Sequence, residues 1–231
     1  DQASLSIDDI IFIEGDSDTT LAQWTVTLDT EVDVPVTVDY GTVDGTAISA
    51  TTGLSGDQDY LVSSGQLTFV GQAGEQQQIS LYFNGDNVVE ATETLSAILT
   101  NPAASGRNVV IGDSTGSLTI TNDDSAVLSI QSASTTTEGS DGQLVVTLSD
   151  PVDVNVSFDF TTADGTAVDP DDYTSTSGSD ISFSNATGAS LSQVVSIPTI
   201  DESLVELAED FTVTISDLQP SDGSRDLSLG A

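Results

Sequence analysis

The chain has no cysteine, no histidine and no methionine, and only two Lys or Arg residues among 231. Without Cys there is neither a disulfide framework nor thiolate chemistry. Without His, the commonest general base and the nitrogen ligand favoured by zinc and copper are both missing. Two cations are too few to neutralise a nucleic-acid backbone, to hold an anionic membrane surface or to clamp a transferring phosphoryl group. No apolar run approaches the roughly 20 residues of a membrane-spanning helix. Aromatics make up 5% and sit mostly in strand-like segments, which leaves little surface for stacking sugar rings. Of the common catalytic mechanisms only a two-carboxylate glycosidase survives these absences, and that needs a deep cleft between its acids. The chain therefore does not read as an enzyme.

What is abundant is negative charge. Asp and Glu number 38, giving a formal net charge of -36. Self-repulsion of that size keeps a protein soluble and opposes compaction, unless cations bind the clustered carboxylates or salt screens them. Two carboxylates about 4 Å apart near a surface repel by roughly 4 kcal/mol. A few such pairs rival the roughly 5–15 kcal/mol stability of a whole domain. Hydrophobic residues at 37% are nevertheless enough for real cores. The first residue is Asp1 and no signal-peptide pattern is present, so the expectation is a fragment of a longer, exported chain.

The chain repeats itself. Val38-Asp39-Tyr40-Gly41-Thr42-Val43-Asp44-Gly45-Thr46-Ala47 recurs 120 residues later as Phe158-Asp159-Phe160-Thr161-Thr162-Ala163-Asp164-Gly165-Thr166-Ala167. Glu14-Gly15 recurs as Glu138-Gly139, Asp59-Tyr60 as Asp172-Tyr173, Leu67-Thr68-Phe69 as Ile181-Ser182-Phe183, and Val89-Glu90 with Glu93 as Val205-Glu206 with Glu209. Five landmarks in conserved order mark two tandem modules, residues 1–124 and 125–231, meeting at Asp123-Asp124-Ser125. The first copy carries an insertion, a Gly/Ser/Thr-rich loop around Ile48 to Gln58.

Between the landmarks, apolar and polar residues alternate, as in Trp24 to Leu28, Gln78 to Phe83, Thr94 to Leu99, Leu144 to Leu148, Gln193 to Ile197 and Phe211 to Ile215. Period two with β-branched and aromatic residues predicts strands buried on one face. About seven short strands per copy predict an all-β fold of two Ig-like antiparallel β-sandwich modules, without the Cys–Trp–Cys core of a true Ig domain. Trp24, Tyr60 and Tyr173 are expected in the cores.

The landmarks and their order resemble the Calx-β family: Glu-Gly, T-x-D-G-T-A, D-Y, L-T-F, an acidic segment ending E-x-x-E, and a closing Asp run. In calcium-binding members of that family the ions sit at one end of the sandwich. The resemblance therefore implies Ca2+ held in the first copy by Glu14, Asp44, Asp86, Glu90, Glu93, Asp123 and Asp124. In the second copy it implies Glu138, Asp164, Asp201, Glu202, Glu206 and Glu209. Gly85 and Asn122 depart from the family's acidic pattern, and the second copy reaches Ala231 without an acidic final strand, so its last strand is expected to be missing. Calcium takes six to eight oxygen ligands in loose geometry, which suits such a donor set. Taken singly, each landmark has a plainer explanation. Asp-Gly is a turn dipeptide, spaced glutamates are solvated charges, and Asp123-Asp124 is a polar hinge.

The implied role is that of calcium-stiffened spacer modules in a secreted or cell-surface, adhesin-like protein. The implied partners are calcium ions and neighbouring modules of the same polypeptide, with no nucleic acid and no membrane insertion. The alternative is a recognition module that binds a glycan or a protein through its loops or through an open sheet edge.

Overall fold

The structure, a computed structural model, describes residues 1–16, 19–54, 58–131, 134–184 and 190–230. Among these residues there is no helix, and hence none long and apolar enough to cross a membrane. The chain forms two compact units, one of residues 1–87 and 91–123, the other of residues 88–90 and 124–231.

The first unit contains β1 (Ala3–Ile7), β2 (Ile10–Ile13), β3 (Thr19–Leu28), β4 (Val36–Asp44), β5 (Ser49–Ala50), β6 (Tyr60–Leu61), β7 (Ser64–Phe69), β8 (Glu75–Asn84), β9 (Glu93–Ala103), β10 (Val109–Ile111) and β11 (Thr115–Thr121). They build two sheets, in the orders β10-β1-β3-β8-β6-β5 and β2-β11-β9-β4-β7. The inward residues of the alternating strands meet between the sheets. In β3 these are Ala22, Trp24, Val26 and Leu28, which stand beside Ile79, Leu81 and Phe83 of β8 in the same sheet and share one core with Leu95, Ala97 and Leu99 of β9 in the other. Trp24 is fully buried, and its indole N–H donates to the Ser117 carbonyl (3.2 Å). This meets the need of a buried ring nitrogen.

Most pairings are antiparallel; β5 with β6 runs parallel, and β1 with β10 and β2 with β11 do so through one switch of sheets. The reason lies at Asp8-Asp9, where the first strand leaves one sheet and joins the other. Asp8 accepts a hydrogen bond from the Thr25 N–H (2.7 Å), and Asp9 accepts from the N–H and hydroxyl of Ser117 (both 2.7 Å). Each carboxylate covers backbone left unpaired by the switch. The hydroxyl and then the N–H of Ser117 hold Asp9 below its ordinary carboxyl range. The expected loop from Ile48 to Gln58 is partly structured: β5 pairs with β6, while residues 55–57 lie outside the described residues.

The second unit contains β12 (Ala126–Ile130), β13 (Gly142–Leu148), β14 (Val156–Asp164), β15 (Ser177–Phe183), β16 (Ser192–Ile197), β17 (Phe211–Pro220) and β18 (Leu227–Leu229). Its sheets are β16-β13-β12-β18 and β15-β14-β17. Matched to the first repeat, these are the counterparts of β8-β3-β1-β10 and β7-β4-β9. Counterparts of β2 and β11 are absent among the described residues, so one edge of β17 has no neighbouring strand. Among the described residues no strand follows β18, which the alternation did not reveal and which pairs with β12. The core gathers Leu128, Val146, Leu148, Phe158, Phe183, Val195 and Ile197 around Tyr173, whose ring stacks on Phe211 at 4.4 Å.

Candidate metal centre

The two D-G-T-A segments close the same corner in each unit. Asp44 and Asp164 end β4 and β14. The glycines that follow are pinched against the start of the next sheet neighbour. A Cβ on Gly45 would lie 2.3 Å from the Thr94 carbonyl oxygen, and one on Gly165 would lie 2.3 Å from that of Asp210. The next two residues make the same contact a bonded one. The Thr166 hydroxyl donates to the Asp210 carboxylate and accepts from its N–H (both 2.8 Å), while Ala167 N–H donates to the Asp210 carbonyl (2.9 Å). Thr46 and Ala47 do likewise with the backbone of Thr94. Glycine here permits close approach and does not make a two-residue hairpin.

The Asp-Tyr landmark anchors that corner. Tyr60 is buried and its hydroxyl donates to Asp44; Tyr173 does the same to Asp164 at 2.6 Å. Burial, and next the adjacent carboxylate, push both phenols above their ordinary value. In return the Tyr173 hydroxyl and the Asp169 N–H hold Asp164 below its usual range. The preceding acids, Asp59 and Asp172, each accept a backbone N–H, from Ile48 (2.6 Å) and Val168 (2.7 Å).

In the second unit, Asp172, Glu206 and Glu209 each place a carboxylate oxygen within 4.8 Å of the others. Calcium–oxygen bonds are about 2.4 Å, so the three oxygens lie at the scale of spacing that a shared ion needs. Lost hydration and then repulsion from Glu202, Glu209 and Asp172 raise the Glu206 carboxyl; lost hydration, Asp172, Glu138 and Glu202 raise Glu209. The expected residues Glu138, Glu202, Glu206 and Glu209 are therefore brought to one electrostatic cluster. Asp201 packs against the left-handed Gly139, whose added Cβ would lie 2.7 Å from that of Asp201. Asp164 faces the Tyr173 hydroxyl at the adjoining corner.

In the first unit, Asp59 is the centre. Burial raises it most, Asp86 repels it, and Glu93 shares a hydrogen bond with it. Asp86 also accepts from the Asn84 amide (3.2 Å). Glu14 is buried at 5% exposure, and the Gly15 N–H donates to Asp123 (2.9 Å). Gly85, a departure from the family's acidic pattern, has a steric cause: a Cβ there would lie 2.4 Å from the Gly15 carbonyl oxygen. Glu90 and Asp124 fall in the second unit.

Asp59 and Asp172 were not among the residues singled out from the resemblance. Their signal was nevertheless present, since Asp-Tyr recurs in both copies at the same place in the order. All the donors are carboxylate oxygens, a set that fits a hard divalent cation and offers nothing to a soft one.

The chain is thus a tandem of acidic β-sandwich modules whose carboxylates gather at loop corners. It belongs to the Calx-beta domain family, whose model matches residues 12–125 and 121–228. Among solved structures it is similar to the apo-form Calx CBD1 domain, with 21% identity and a TM-score of 0.43 over 53% of this chain and 98% of that one. It is also similar to CBD12 from CALX1.2, with 19% identity and a TM-score of 0.43 over 96% and 83% of the two chains. The calcium binding domain CBD12 of CALX1.1 is alike at 19% identity and a TM-score of 0.42, over 94% and 82%. A comparison with curated proteins finds no match.

Proposed function

We propose that this chain is a pair of calcium-binding structural modules, 1–124 and 125–231, of a secreted or cell-surface adhesin-like protein. Calcium rigidifies the loop corners, and the role is mechanical and not catalytic. The observation that carries this reading is the convergence of Asp172, Glu206 and Glu209 within 4.8 Å, in a chain with 38 acids and two cations. Asp172, Glu206 and Glu209 supply direct oxygens, while Glu138 and Glu202 add charge from around them. In the first unit Asp59, Asp86 and Glu93 take the corresponding part. The bound ion supplies the positive charge that the loop 202–209 lacks, and its binding to the folded state alone stabilises that state by mass action.

Calorimetry at fixed ionic strength tests this directly, first in EDTA and then in millimolar calcium. The transition should rise by several degrees with calcium and much less with magnesium, which prefers smaller, stricter octahedral sites. Equal shifts with calcium, magnesium and added sodium would mean simple screening and would defeat the proposal. A recognition role is the second reading, favoured by the edge of β17 that has no neighbouring strand among the described residues.

A further inference from the structure

Val88–Glu90 belongs to the first repeat by sequence but folds as part of the second unit. Val89 is fully buried in that unit's core and forms a parallel bridge with Val152. Its N–H donates to the Pro151 carbonyl (2.9 Å), and the Asp153 N–H donates to the Val89 carbonyl (3.2 Å). Asp153 also holds Arg225 in a two-pronged ion pair, both contacts at 2.6 Å, and Glu90 adds its negative charge to the surroundings of that guanidinium. The seat for a Val-Glu segment is therefore a buried valine, a backbone turn and an arginine held by the adjacent aspartate.

The repeat supplies both halves of this arrangement a second time, and among the described residues the two are not joined to each other. Val32, Asp33 and Arg107 correspond to Val152, Asp153 and Arg225, and Arg107 grips Asp33 with the same two-pronged geometry, both contacts at 2.7 Å. They line an open hollow of about 270 Å³ together with Thr30 and Glu31. Side-chain exposure of this pair is 44% and 72%, against 6% and 30% for Arg225 and Asp153. The counterpart of Val89-Glu90 is Val205-Glu206, and Val205 is 98% exposed between Leu204 and Leu207, themselves 64% and 89% exposed. Three large apolar side chains on one loop are a marked exposure on so charged a surface.

We infer that the 204–207 loop of one chain seats in the Val32–Asp33–Arg107 hollow of a second copy. Val205 lies beside Val32 as Val89 lies beside Val152, and Glu206 faces Arg107. The chain has only two Lys or Arg residues, and Arg225 already serves a filled seat, so Arg107 marks the one other seat of this kind. Loop and hollow are different surfaces, so each joint takes the loop of one copy and the hollow of the other. The net charge of -36 opposes the approach, and salt should favour it by screening.

A photo-crosslinking amino acid at position 205 of the full chain tests the joint. The modified chain is mixed with an isotope-labelled unmodified copy in millimolar calcium and about 0.5 M NaCl, where the screening length is roughly 4 Å. Mass spectrometry should find links from 205 to residues 30–33 and 107–108 of the labelled copy. Yield should fall about tenfold when that copy carries Arg107→Ala, with Trp24 fluorescence confirming that the variant is folded. The same crosslinker at exposed Val194 sets the background. Links no more abundant than that background, links mapping elsewhere, or a yield unchanged by Arg107→Ala would each overturn the inference. Glu206 also stands in the carboxylate cluster, so the links are counted again in EDTA: they should persist there, and their loss would overturn the inference, whereas calcium occupancy itself is read by calorimetry.

Discussion

Replacing Arg225 by Met should destabilise the second unit far more than the same change at Arg107 destabilises the first. The two ion pairs share their geometry and differ in their surroundings. The Arg225 side chain is 6% exposed and Asp153 30% exposed, whereas the Arg107–Asp33 pair lies open to water. Removing one member of a fully buried pair costs about 3–5 kcal/mol, because the other charge is left stranded. Asp153 retains part of its hydration, so a cost of about 2 kcal/mol is expected for Arg225→Met. For a unit of this size that is a fall of very roughly 8 °C in its midpoint. Arg107→Met should leave the first unit's midpoint within experimental scatter. Trp24, the single tryptophan, sits in the first core and reports that unit by fluorescence, while calorimetry follows both. The double variant Asp153→Asn with Arg225→Met should recover part of the loss, since the stranded charge is gone. Equal shifts at the two arginines, or no recovery in the double variant, would refute the claim that burial sets the value of the pair.

Glu209→Gln or Asp172→Asn should weaken calcium binding to the second unit at least about tenfold by titration calorimetry, and raise its stability in EDTA by removing a mutually repelling charge. In calcium-free buffer the second unit should gain stability as pH falls toward 4.5, the ordinary glutamate value. The raised Glu206 and Glu209 bind protons in the folded state before the unfolded chain does, so stability falls again as pH rises through their folded values. Below about 3.8 the sign reverses for that unit, because Asp164 is held low in the folded state and must then be protonated, as Asp9, Asp33 and Asp39 must in the first unit. Urea midpoints measured across pH 3 to 7 would show both limbs. Tyr173→Phe should let the Asp164 carboxyl rise toward its ordinary value by carbon-detected NMR titration, and an unmoved titration would remove the hydroxyl as its cause. Gly165→Ala should lower the second unit's midpoint sharply, as its Cβ meets backbone at 2.3 Å and cannot be relieved by a side-chain rotation.

The amino-acid sequence by itself determined the architecture and its duplication. Alternation places one face of each strand in water and the other in a core, a purely local consequence of backbone geometry, and it located Trp24, Phe83, Phe158 and Ile197 inside. Shared landmarks revealed the repeat, and the absence of His and Cys restricted any metal donors to oxygen. Only the tertiary structure decided which acids meet. Glu202, Glu206 and Glu209 lie close in sequence, but their partner Asp172 comes from another loop, held there by the Val168 N–H and next to the Tyr173 core anchor. The two equivalent ion pairs likewise look alike in sequence, and so do Val89 and Val205. What separates them is burial, which depends on what the rest of the chain brings alongside: Val89 is enclosed beside Val152, while Val205 is 98% exposed. Local pattern carries the period of a strand; desolvation and repulsion between distant side chains exist only once the chain has folded.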